Sequence, residues 1–273
     1  MKKVWFITGI SSGLGKALAA VVMQHGDVVI GTFRKQAQAD DFNKKNAGKG
    51  RGVVLDVTDH SAIEKVITPI ERIDVLVNNA GVGFIGAVEE ATLDETRRVF
   101  EANFFSVVKI TQQVLPKMRA RRSGHIVQMS SHGGFVAFAG FGIYNASKFA
   151  LEGFTEALAK EVAPLGIRTT LVEPGPFRTQ FAAAKLPEAK KVIYDYAETV
   201  GAFRSKLKGV HGKQEGDPEK GAEVILEKVN SNSTSLRLPL GKVPLTTMQM
   251  KLDSVKSDLE SNADLAAQAV FKL

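Results

Sequence analysis

Short apolar runs alternate with longer amphipathic stretches along most of the chain. The runs are rich in β-branched residues and too short for helices, which is typical of strands buried on both faces of a parallel sheet. The stretches between them carry apolar residues at helical spacing. The predicted strands are Val4–Thr8, Val28–Thr32, Gly52–Leu55, Val75–Val77, His125–Met129, Arg168–Val172 and Leu236–Leu238. The predicted helices are Leu14–His25, Ser61–Thr68, Leu93–Arg121, Tyr144–Ala163 and Pro218–Val229.

Alternating strands and helices predict an α/β fold, a doubly wound parallel β-sheet with helices on both faces. The strand pattern weakens after Pro174, so helical turns over a cleft are expected in a lid at about 176–216. A further amphipathic helix is predicted over Thr246–Phe271, within a C-terminal helical extension of about 240–273. The pattern shows no repeat or linker, so a single domain over residues 1–273 is expected.

The composition of the 273 residues excludes several classes of protein. With no cysteine, the chain has no disulfide scaffold, thiolate zinc site or cysteine nucleophile. Its five histidines are scattered, so no metal site is predicted. The net charge of +7 comes without a nucleic-acid module pattern, and a solvated basic surface explains it. No run approaches the roughly 18 apolar residues of a membrane span, and Val4–Ile7 is too short for a secretory signal, so a cytoplasmic protein is expected.

A glycine-rich loop, Thr8–Gly15, connects the first predicted strand to the first predicted helix. Its sequence is TGISSGLG. Glycines at the second, sixth and eighth positions of the loop permit a tight turn and a close approach by phosphate groups. The start of the helix adds free N–H groups and the positive end of the helix dipole. On its own, the loop fits either a phosphate-binding site or an ordinary glycine-rich turn.

Two other motifs overlap the loop and are rejected. Gly9–Gly13 matches the G-x-S-x-G elbow of serine hydrolases, with Ser11 as the nucleophile. That elbow needs an oxyanion loop from an earlier strand, and only eight residues precede Gly9. A nucleotide-hydrolase P-loop requires glycine where Ile10 stands and a hydroxyl where Ala17 stands. Both interpretations therefore fail.

Three distant features change the interpretation of the loop. Asn78–Gly81 has the sequence NNAG and directly follows the fourth predicted strand, while Ser131 lies 13 residues before Tyr144 and Lys148 four residues after it. Together with the loop, these residues resemble the soluble single-domain branch of the short-chain dehydrogenase/reductase superfamily, from Val4 to about Thr179. The resemblance implies a Rossmann-type fold. The tail resembles, more loosely, bacterial oxidoreductases akin to hydroxysteroid and retinol dehydrogenases.

Tyr144 and Lys148 are predicted to form the acid–base pair of this enzyme. Four residues apart, they share one face of a helix. A phenol has a pKa of about 10, and a neighbouring ammonium group lowers it. Tyr144 can then exchange a proton with an alcohol or a ketone, while the Ser131 hydroxyl orients the substrate oxygen. By resemblance, Asn103 holds a water that relays protons to Lys148. Each of these residues also fits an ordinary structural role. Tyr144 and Lys148 fit a surface pair on a helix, Ser131 fits the end of a strand, and Asn103 fits a helix residue bonded to nearby backbone. The prediction therefore depends on the spacing of all four together.

The end of the second predicted strand favours NADP over NAD. Relatives that prefer NAD carry an acidic residue there, which binds the ribose hydroxyls. In this sequence Phe33 takes that place and Arg34 follows, and an arginine can bind a 2′-phosphate through two hydrogen bonds. Two other roles also fit Arg34: its guanidinium stacks on the adenine, or its side chain points into solvent.

The resemblance assigns further residues to the dinucleotide and the substrate. Asp56 and Val57 are expected to meet the adenine, although Asp56 also fits a helix cap, and Thr179 is expected to bond the nicotinamide carboxamide. The full cofactor set is Gly9, Ser11, Ser12, Gly13, Leu14, Gly15, Arg34, Asp56, Val57, Asn79, Ala80, Gly81, Tyr144, Lys148, Pro174, Gly175, Phe177 and Thr179. The phenylalanines Phe135, Phe138, Phe141, Phe177 and Phe181 fit either an apolar substrate pocket or core and lid contacts.

The expected activity is hydride transfer between NADP(H) and a ketone or aldehyde, or the corresponding secondary alcohol, with an apolar substrate. Two alternatives stay open: an NADP-sensing protein without turnover, and an NAD-dependent alcohol dehydrogenase. The resemblance also implies a homodimer or homotetramer that forms through the helices holding Asn103 and Tyr144. Neither a nucleic-acid partner nor a membrane span is expected.

Overall fold

A seven-stranded parallel sheet forms the centre of the part of the chain that the computed structural model describes, residues 2–179, 181, 186–210 and 212–271. The strands are β1 Val4–Ile7, β2 Val28–Phe33, β3 Gly50–Val54, β4 Val75–Asn78, β5 Gly124–Met129, β6 Ile167–Pro174 and β7 Arg237–Leu240. Their order across the sheet is β3-β2-β1-β4-β5-β6-β7. Positions 180, 182–185 and 211 of the expected lid, and 272–273 of the expected extension, lie outside the described residues.

Helices connect the strands and cover both faces of the sheet. They are α1 Gly13–His25, α2 Gln36–Lys45, α3 His60–Ile67, α4 Leu93–Phe100, α5 Ser106–Arg121, α6 Gly142–Val162, α7 Ala202–Gly209, α8 Pro218–Asn230 and α9 Lys242–Ala266. A π-helical turn, Glu101–Phe105, joins α4 to α5, and a second one, Ala197–Gly201, leads into α7. The fold is therefore the doubly wound α/β sheet that the sequence predicts, in a single domain.

Alternate side chains of each strand enter two separate apolar layers, because successive residues of a strand point to opposite faces. Trp5 and Ile7 of β1 belong to the layer under α1 and α8, whereas Phe6 packs toward α3, α5 and α6. All three are fully buried. Burial on both faces explains why the strands are nearly continuous apolar runs.

Two departures from the sequence prediction have physical causes. Helix α2 is absent from the prediction, and its only buried residue is Ala39, so it has almost no apolar periodicity. The single helix expected over Leu93–Arg121 contains the π-helical turn at Glu101–Phe105. Such turns often mark functional positions, and this one carries Asn103.

The C-terminal segment adds the last strand to the sheet, and its final helix then projects away from the folded body. Strand β7 pairs with β6, and α9 packs on the body through Pro244 and Met248. Beyond Met248 nearly every described residue is exposed, including Leu259 at 69%. No helix among the described residues is long and apolar enough to cross a membrane.

Candidate active site

The candidate residues gather at the carboxyl edge of the sheet. The order of the strands reverses between β1 and β4, and in such sheets a crevice for ligands opens beyond the carboxyl ends at that point. The glycine loop follows β1, the Asn78–Gly81 segment follows β4, and Ser131 follows β5. Residues far apart in the chain thus share one edge.

Backbone shape makes glycine necessary in the loop after β1. Gly9 and Gly13 have φ angles of +70° and +61°, which L-residues with side chains rarely adopt. Gly15 has a different reason: a Cβ atom there would overlap Asn79 Nδ2 and lie 2.7 Å from the carbonyl oxygen of Gly9. The third glycine is therefore needed for packing between the loop and the segment after β4.

Thr8 and Asn79 join the two loops through a set of hydrogen bonds. The Thr8 hydroxyl accepts from the backbone N–H groups of Asn79 and Ala80, each at 2.9 Å. In return, Asn79 Nδ2 donates to the carbonyl oxygens of Thr8 at 2.8 Å and Gly9 at 3.0 Å. Thr32 on β2 adds a bond, because its hydroxyl accepts from Gly9 N–H at 2.9 Å. Thr8 and Thr32 are not among the predicted site residues, although Thr8 is the first letter of the loop motif.

The start of α1 fits a phosphate-bearing ligand. Ser12 is the N-cap residue, but its side chain makes no capping hydrogen bond, so the N–H groups of the first turn keep their donors free for a ligand. Ser11 and Ser12 are exposed, and a Cβ on Gly13 would lie 3.5 Å from Thr179 Cβ. Thr179 thus lies across from the loop, while Leu14 is turned inward and packs on the core.

The adenine end of the predicted cofactor site lies at β2 and β3. Phe33 ends β2 and is buried, whereas Arg34 is exposed. Asp56 accepts from the N–H and hydroxyl of Thr58 at 3.0 and 2.8 Å. The alternative role of Asp56 as a helix cap is wrong, since Asp59 caps α3. Val57 is buried in the core.

Ser131 and Tyr144 face the same glycine: a Cβ on Gly133 would lie 3.2 Å from Ser131 Oγ and 3.5 Å from Tyr144 Cε1. Ser131 caps the turn His132–Gly134 and accepts from Gly133 N–H at 3.0 Å. Burial raises the pKa of Tyr144 to about 12, while a side-chain hydrogen bond with Ser131 lowers it. Tyr144 is on the first turn of α6, with 5% of its surface exposed. A buried phenol of high pKa holds its proton at neutral pH, which suits a proton donor.

Lys148 is buried one turn after Tyr144. Its ammonium donates to the carbonyl oxygen of Met129 at 2.8 Å. Burial lowers the pKa of Lys148 to about 8, and the charge of Glu152 raises it. In this structure burial and Ser131 determine the shift in the pKa of Tyr144. The Lys148 ammonium is directed to the end of β5, and its lowering of the phenol pKa stays a prediction.

Asn103 binds the segment after β4. Its Oδ1 accepts from Val82 N–H at 2.8 Å, and its Nδ2 donates to Val82 O at 2.9 Å and to Ser147 Oγ at 3.0 Å. A Cβ on Gly81 would lie 3.0 Å from Asn103 Oδ1 and 3.7 Å from Lys148 Nζ. The structure therefore brings Asn103, Gly81 and Lys148 together, and its contacts show Asn103 as a clamp on the loop. The relay through a water stays a prediction.

Aromatic rings surround Tyr144. The ring centroids of Phe141 and Phe181 lie 5.2 and 5.7 Å from that of Tyr144, and Phe203 of α7 lies 4.7 Å from Phe141. Phe203 is not among the predicted residues, because its own segment has no motif. Phe177 belongs to the core with α1 and α8, so its side chain is not a pocket wall.

Phe135 and Gly175, two other predicted residues near this edge, contact the C-terminal segment. Phe135 lies under the guanidinium of Arg237, 5.1 Å from it, and Phe138 lies 5.0 Å from the ring of His132. Gly175, after Pro174 at the end of β6, packs so closely on Pro244 of α9 that a Cβ would lie 2.6 Å from Pro244 Cδ. The start of the extension thus borders the site.

Comparisons with known proteins agree with this arrangement. The family model described as short chain dehydrogenase matches residues 3–190. A 3-ketodihydrosphingosine reductase of Bacteroides thetaiotaomicron is 38% identical over 98% of this chain and 97% of its own. A crystal structure of a short-chain dehydrogenase from Streptomyces avermitilis superposes with a TM-score of 0.92 at 40% identity, covering 98% of each chain.

A more distant structure bears on the fold alone. A short chain dehydrogenase/reductase from Burkholderia phymatum, solved in complex with NAD, has a TM-score of 0.81 at 23% identity and covers 94% of this chain and 95% of its own. A serine dehydrogenase of the same fold was solved with NADP+. Proteins of this fold therefore bind either dinucleotide. By its sequence and its structure, the chain belongs to the short-chain dehydrogenase family and is an oxidoreductase.

Proposed function

We propose that the protein reduces an apolar ketone or aldehyde with NADPH, reversibly with the corresponding alcohol, and that Tyr144 is the acid–base residue. The observation that carries this proposal is the juxtaposition of Ser131 and the buried Tyr144 beside Gly133, with Lys148 one turn away. This group stands at the edge of the sheet beside a loop that fits phosphates. The Phe141 and Phe181 rings that face Tyr144 favour an apolar substrate.

Each residue of this group has its own part in the chemistry. A bound nicotinamide supplies the hydride for reduction or accepts it in oxidation. The Ser131 hydroxyl hydrogen-bonds the substrate oxygen and holds it near Tyr144 Oη. Tyr144 Oη donates its proton to that oxygen in reduction and takes it back in oxidation. Lys148 stabilises the phenolate that remains, while Asn103 fixes the loop around Gly81.

The dinucleotide is held at three places in this proposal. The exposed serines and the first turn of α1 bind the pyrophosphate, with Gly9, Gly13 and Gly15 allowing its approach. Asp56, Val57 and the Asn79–Gly81 segment flank the adenosine, and Thr179 binds the carboxamide. The backbone of Pro174–Phe177 borders the nicotinamide. A named relative that is a 3-ketodihydrosphingosine reductase also supports ketone reduction.

Replacing Tyr144 with Phe tests the catalytic proposal. We expect Tyr144→Phe to lower kcat for carbonyl reduction by about 1,000-fold or more, because the proton donor is lost. NADPH affinity, measured by fluorescence titration, should change by less than about twofold. Tyr194→Phe is a matched control, since Tyr194 is 87% exposed. Turnover retained in Tyr144→Phe would contradict the mechanism, and NADPH binding without turnover on a broad carbonyl panel would favour a sensor.

Replacing Arg34 tests the choice of dinucleotide. If the guanidinium binds the 2′-phosphate, Arg34→Ala weakens NADPH binding by about 10-fold or more and leaves NADH binding unchanged. Lys35→Ala is the neighbouring control. Equal effects of Arg34→Ala on both dinucleotides would instead support adenine stacking.

We also propose that the protein forms a homodimer or homotetramer through the helices that carry Asn103 and Tyr144. Two phenylalanines on these segments are exposed, Phe105 at 48% and Phe149 at 41%. Exposed large apolar side chains of this kind often lie at subunit interfaces. A monomer mass by light scattering would contradict this assembly.

A further inference from the structure

A partly buried cluster of charged residues joins α6, β6 and β7 one helical turn after Lys148 and has no part in the proposed proton and hydride transfer. Arg237 of β7 donates through Nη1 to Glu152 Oε2 of α6 at 2.5 Å and also to Glu173 of β6. Its Nη2 donates to Glu156, a further turn along α6. The Glu173 side chain is fully buried and that of Glu152 is 6% exposed. Three carboxyl groups therefore share one guanidinium.

Glu152 connects this cluster to the active-site lysine. It lies four residues after Lys148, on the same face of α6. The Lys148 ammonium points toward the end of β5, where Ser130 follows Met129. A Cβ on Gly134 would lie 2.5 Å from Ser130 Oγ and 3.0 Å from Glu152 Oε1, so both oxygens face the space beside that glycine. Glu152 is thus the carboxyl group between Lys148 and Arg237.

Three carboxyl groups face two cations, Arg237 and Lys148, so the charges balance when one carboxyl group holds a proton. Burial raises the pKa of Glu152 and that of Glu173, the latter to about 7. Glu156 is half exposed and in contact with water. Two buried carboxylates close together cannot both ionise freely. Glu152 lies near two cations, Arg237 and Lys148, whereas Glu173 contacts Arg237 alone, so near neutral pH the ionised form is favoured at Glu152 and the shared proton at Glu173.

An ionised Glu152 has a direct effect on Lys148. Burial alone disfavours the ammonium form, because a charge loses its hydration. The charge of Glu152 opposes this and raises the pKa of Lys148. The other groups around Lys148 are neutral at this pH: Tyr144 on its own helix, Asn103 on the π-helical turn, and Ser130 after β5. The Glu152 carboxylate is therefore the counter-charge that the described surroundings supply.

We propose that Glu152 is a positioning residue that keeps Lys148 protonated, and that Arg237 and the protonated Glu173 hold Glu152 in place. This inference rests on the proposed function, in which Lys148 acts as a cation. It gives β7 a role in catalysis, because the strand that completes the sheet edge also supplies the arginine that holds the carboxylate.

The test measures the titration of Lys148 itself, without turnover. The full chain is labelled with ¹³C-lysine, and the ¹³Cε resonance of Lys148 is assigned as the signal that is missing from the spectrum of Lys148→Arg. The chemical shift of that resonance is then followed against pH. We expect Glu152→Gln to lower its midpoint by about one pH unit. Glu156→Gln is the matched control: it removes a carboxylate that also binds Arg237, but one helical turn further away, and should leave the midpoint unchanged within about 0.2 units.

A second variant keeps the proposal open to contradiction even if Glu152→Gln does not fold. Glu173→Gln fixes that side chain in its neutral form and keeps the Glu152 carboxylate as the counter-charge, so the Lys148 midpoint should change by less than about 0.3 units. An unchanged midpoint in Glu152→Gln, an equal shift in Glu156→Gln, or a fall of about one unit in Glu173→Gln would overturn the inference. The pH profile of kcat gives the second readout, with its alkaline limb moving to lower pH in Glu152→Gln. If no carbonyl compound is turned over, the NMR titration still decides, so the two proposals fail separately.

Discussion

The glycine-loop edge of the sheet and the C-terminal third of the chain are each stabilised by a different kind of interaction. At the loop, short polar groups and backbone make the contacts, as where Asn79 Nδ2 reaches the carbonyl oxygens of Thr8 and Gly9. In the C-terminal third, long charged side chains span the gaps between elements. Arg204 of α7 binds the buried Glu90 at 2.6 Å, and Arg237 of β7 binds Glu152.

The two kinds of contact differ in what they tolerate. Where backbone approaches backbone, an added methyl group has no room and cannot rotate away. Where a flexible side chain spans a gap, neighbouring positions can change as long as the charge at its end keeps a partner. The loop edge should therefore be sensitive to size, and the C-terminal third to charge.

A methyl group at Gly15 gives the largest expected effect. We expect Gly15→Ala to lower the free energy of unfolding by about 3 kcal/mol, because the Cβ would overlap Asn79 and press on Gly9 O. Displacement of the loop should also weaken dinucleotide binding by about 100-fold. Urea unfolding and fluorescence titration measure the two effects.

The same substitution elsewhere provides the control. Gly153 lies inside α6 and a Cβ there would meet nothing within 4 Å. Gly153→Ala should raise stability by about 0.5–1 kcal/mol through helix propensity alone. If Gly15→Ala behaved like Gly153→Ala, the loop would be less tightly packed than its contacts indicate.

Removing one charge tests the other side of the comparison. Arg204→Met should lower the free energy of unfolding at pH 7 by about 3 kcal/mol, because it leaves Glu90 buried without its cation. Lys208→Met is the control: Lys208 is 65% exposed in its pair with Glu188 and should matter by less than about 1 kcal/mol.

The pH dependence of this loss has a definite sign. Burial raises the pKa of Glu90. Hydrogen bonds from Ile193, Ala87 and Arg204 lower it by a larger amount, so the net pKa lies below the ordinary 4.5. A carboxyl group with a depressed pKa stabilises the fold above its unfolded-state pKa and loses that contribution as the pH falls. The deficit of Arg204→Met should therefore be full near neutral pH and shrink as the pH falls and Glu90 takes up a proton. A deficit that grew in acid would show that Glu90 is not the partner that matters.

The same contrast explains which features a sequence can predict. Gly9, Gly13 and Gly15 are close in the chain and their spacing follows from the turn itself, so the amino-acid pattern alone predicts the loop. The spacing of Tyr144 and Lys148 is likewise one helical turn. Local geometry of this kind is visible in a single sequence.

Contacts between distant residues are not visible in that way. Arg237 lies 85 residues from Glu152, and nothing local to either residue indicates the pair. Phe203 approaches Phe141 only because α7 folds over the site. Even at Lys148 the spacing predicts the right residue but not its hydrogen bond to Met129, since that depends on where β5 ends.

The smallest effect is expected at the far end of α9, where the chain makes neither kind of contact. Deleting residues 253–273 removes exposed side chains such as Leu259 and keeps Pro244, Met248 and the contact of Thr247 with His132 at 3.4 Å. We expect the free energy of unfolding to change by less than about 1 kcal/mol, which is a Tm shift of about 2–4 °C at most, with turnover unchanged. Ending the chain after Leu240 is the comparison, because it also removes the buried part of α9 beside Gly175 and should lower both stability and activity. If deleting residues 253–273 were as harmful as ending the chain after Leu240, the exposed half of α9 would be in contact with a second molecule. The C-terminal third would then depend on apolar contacts as well as on charge.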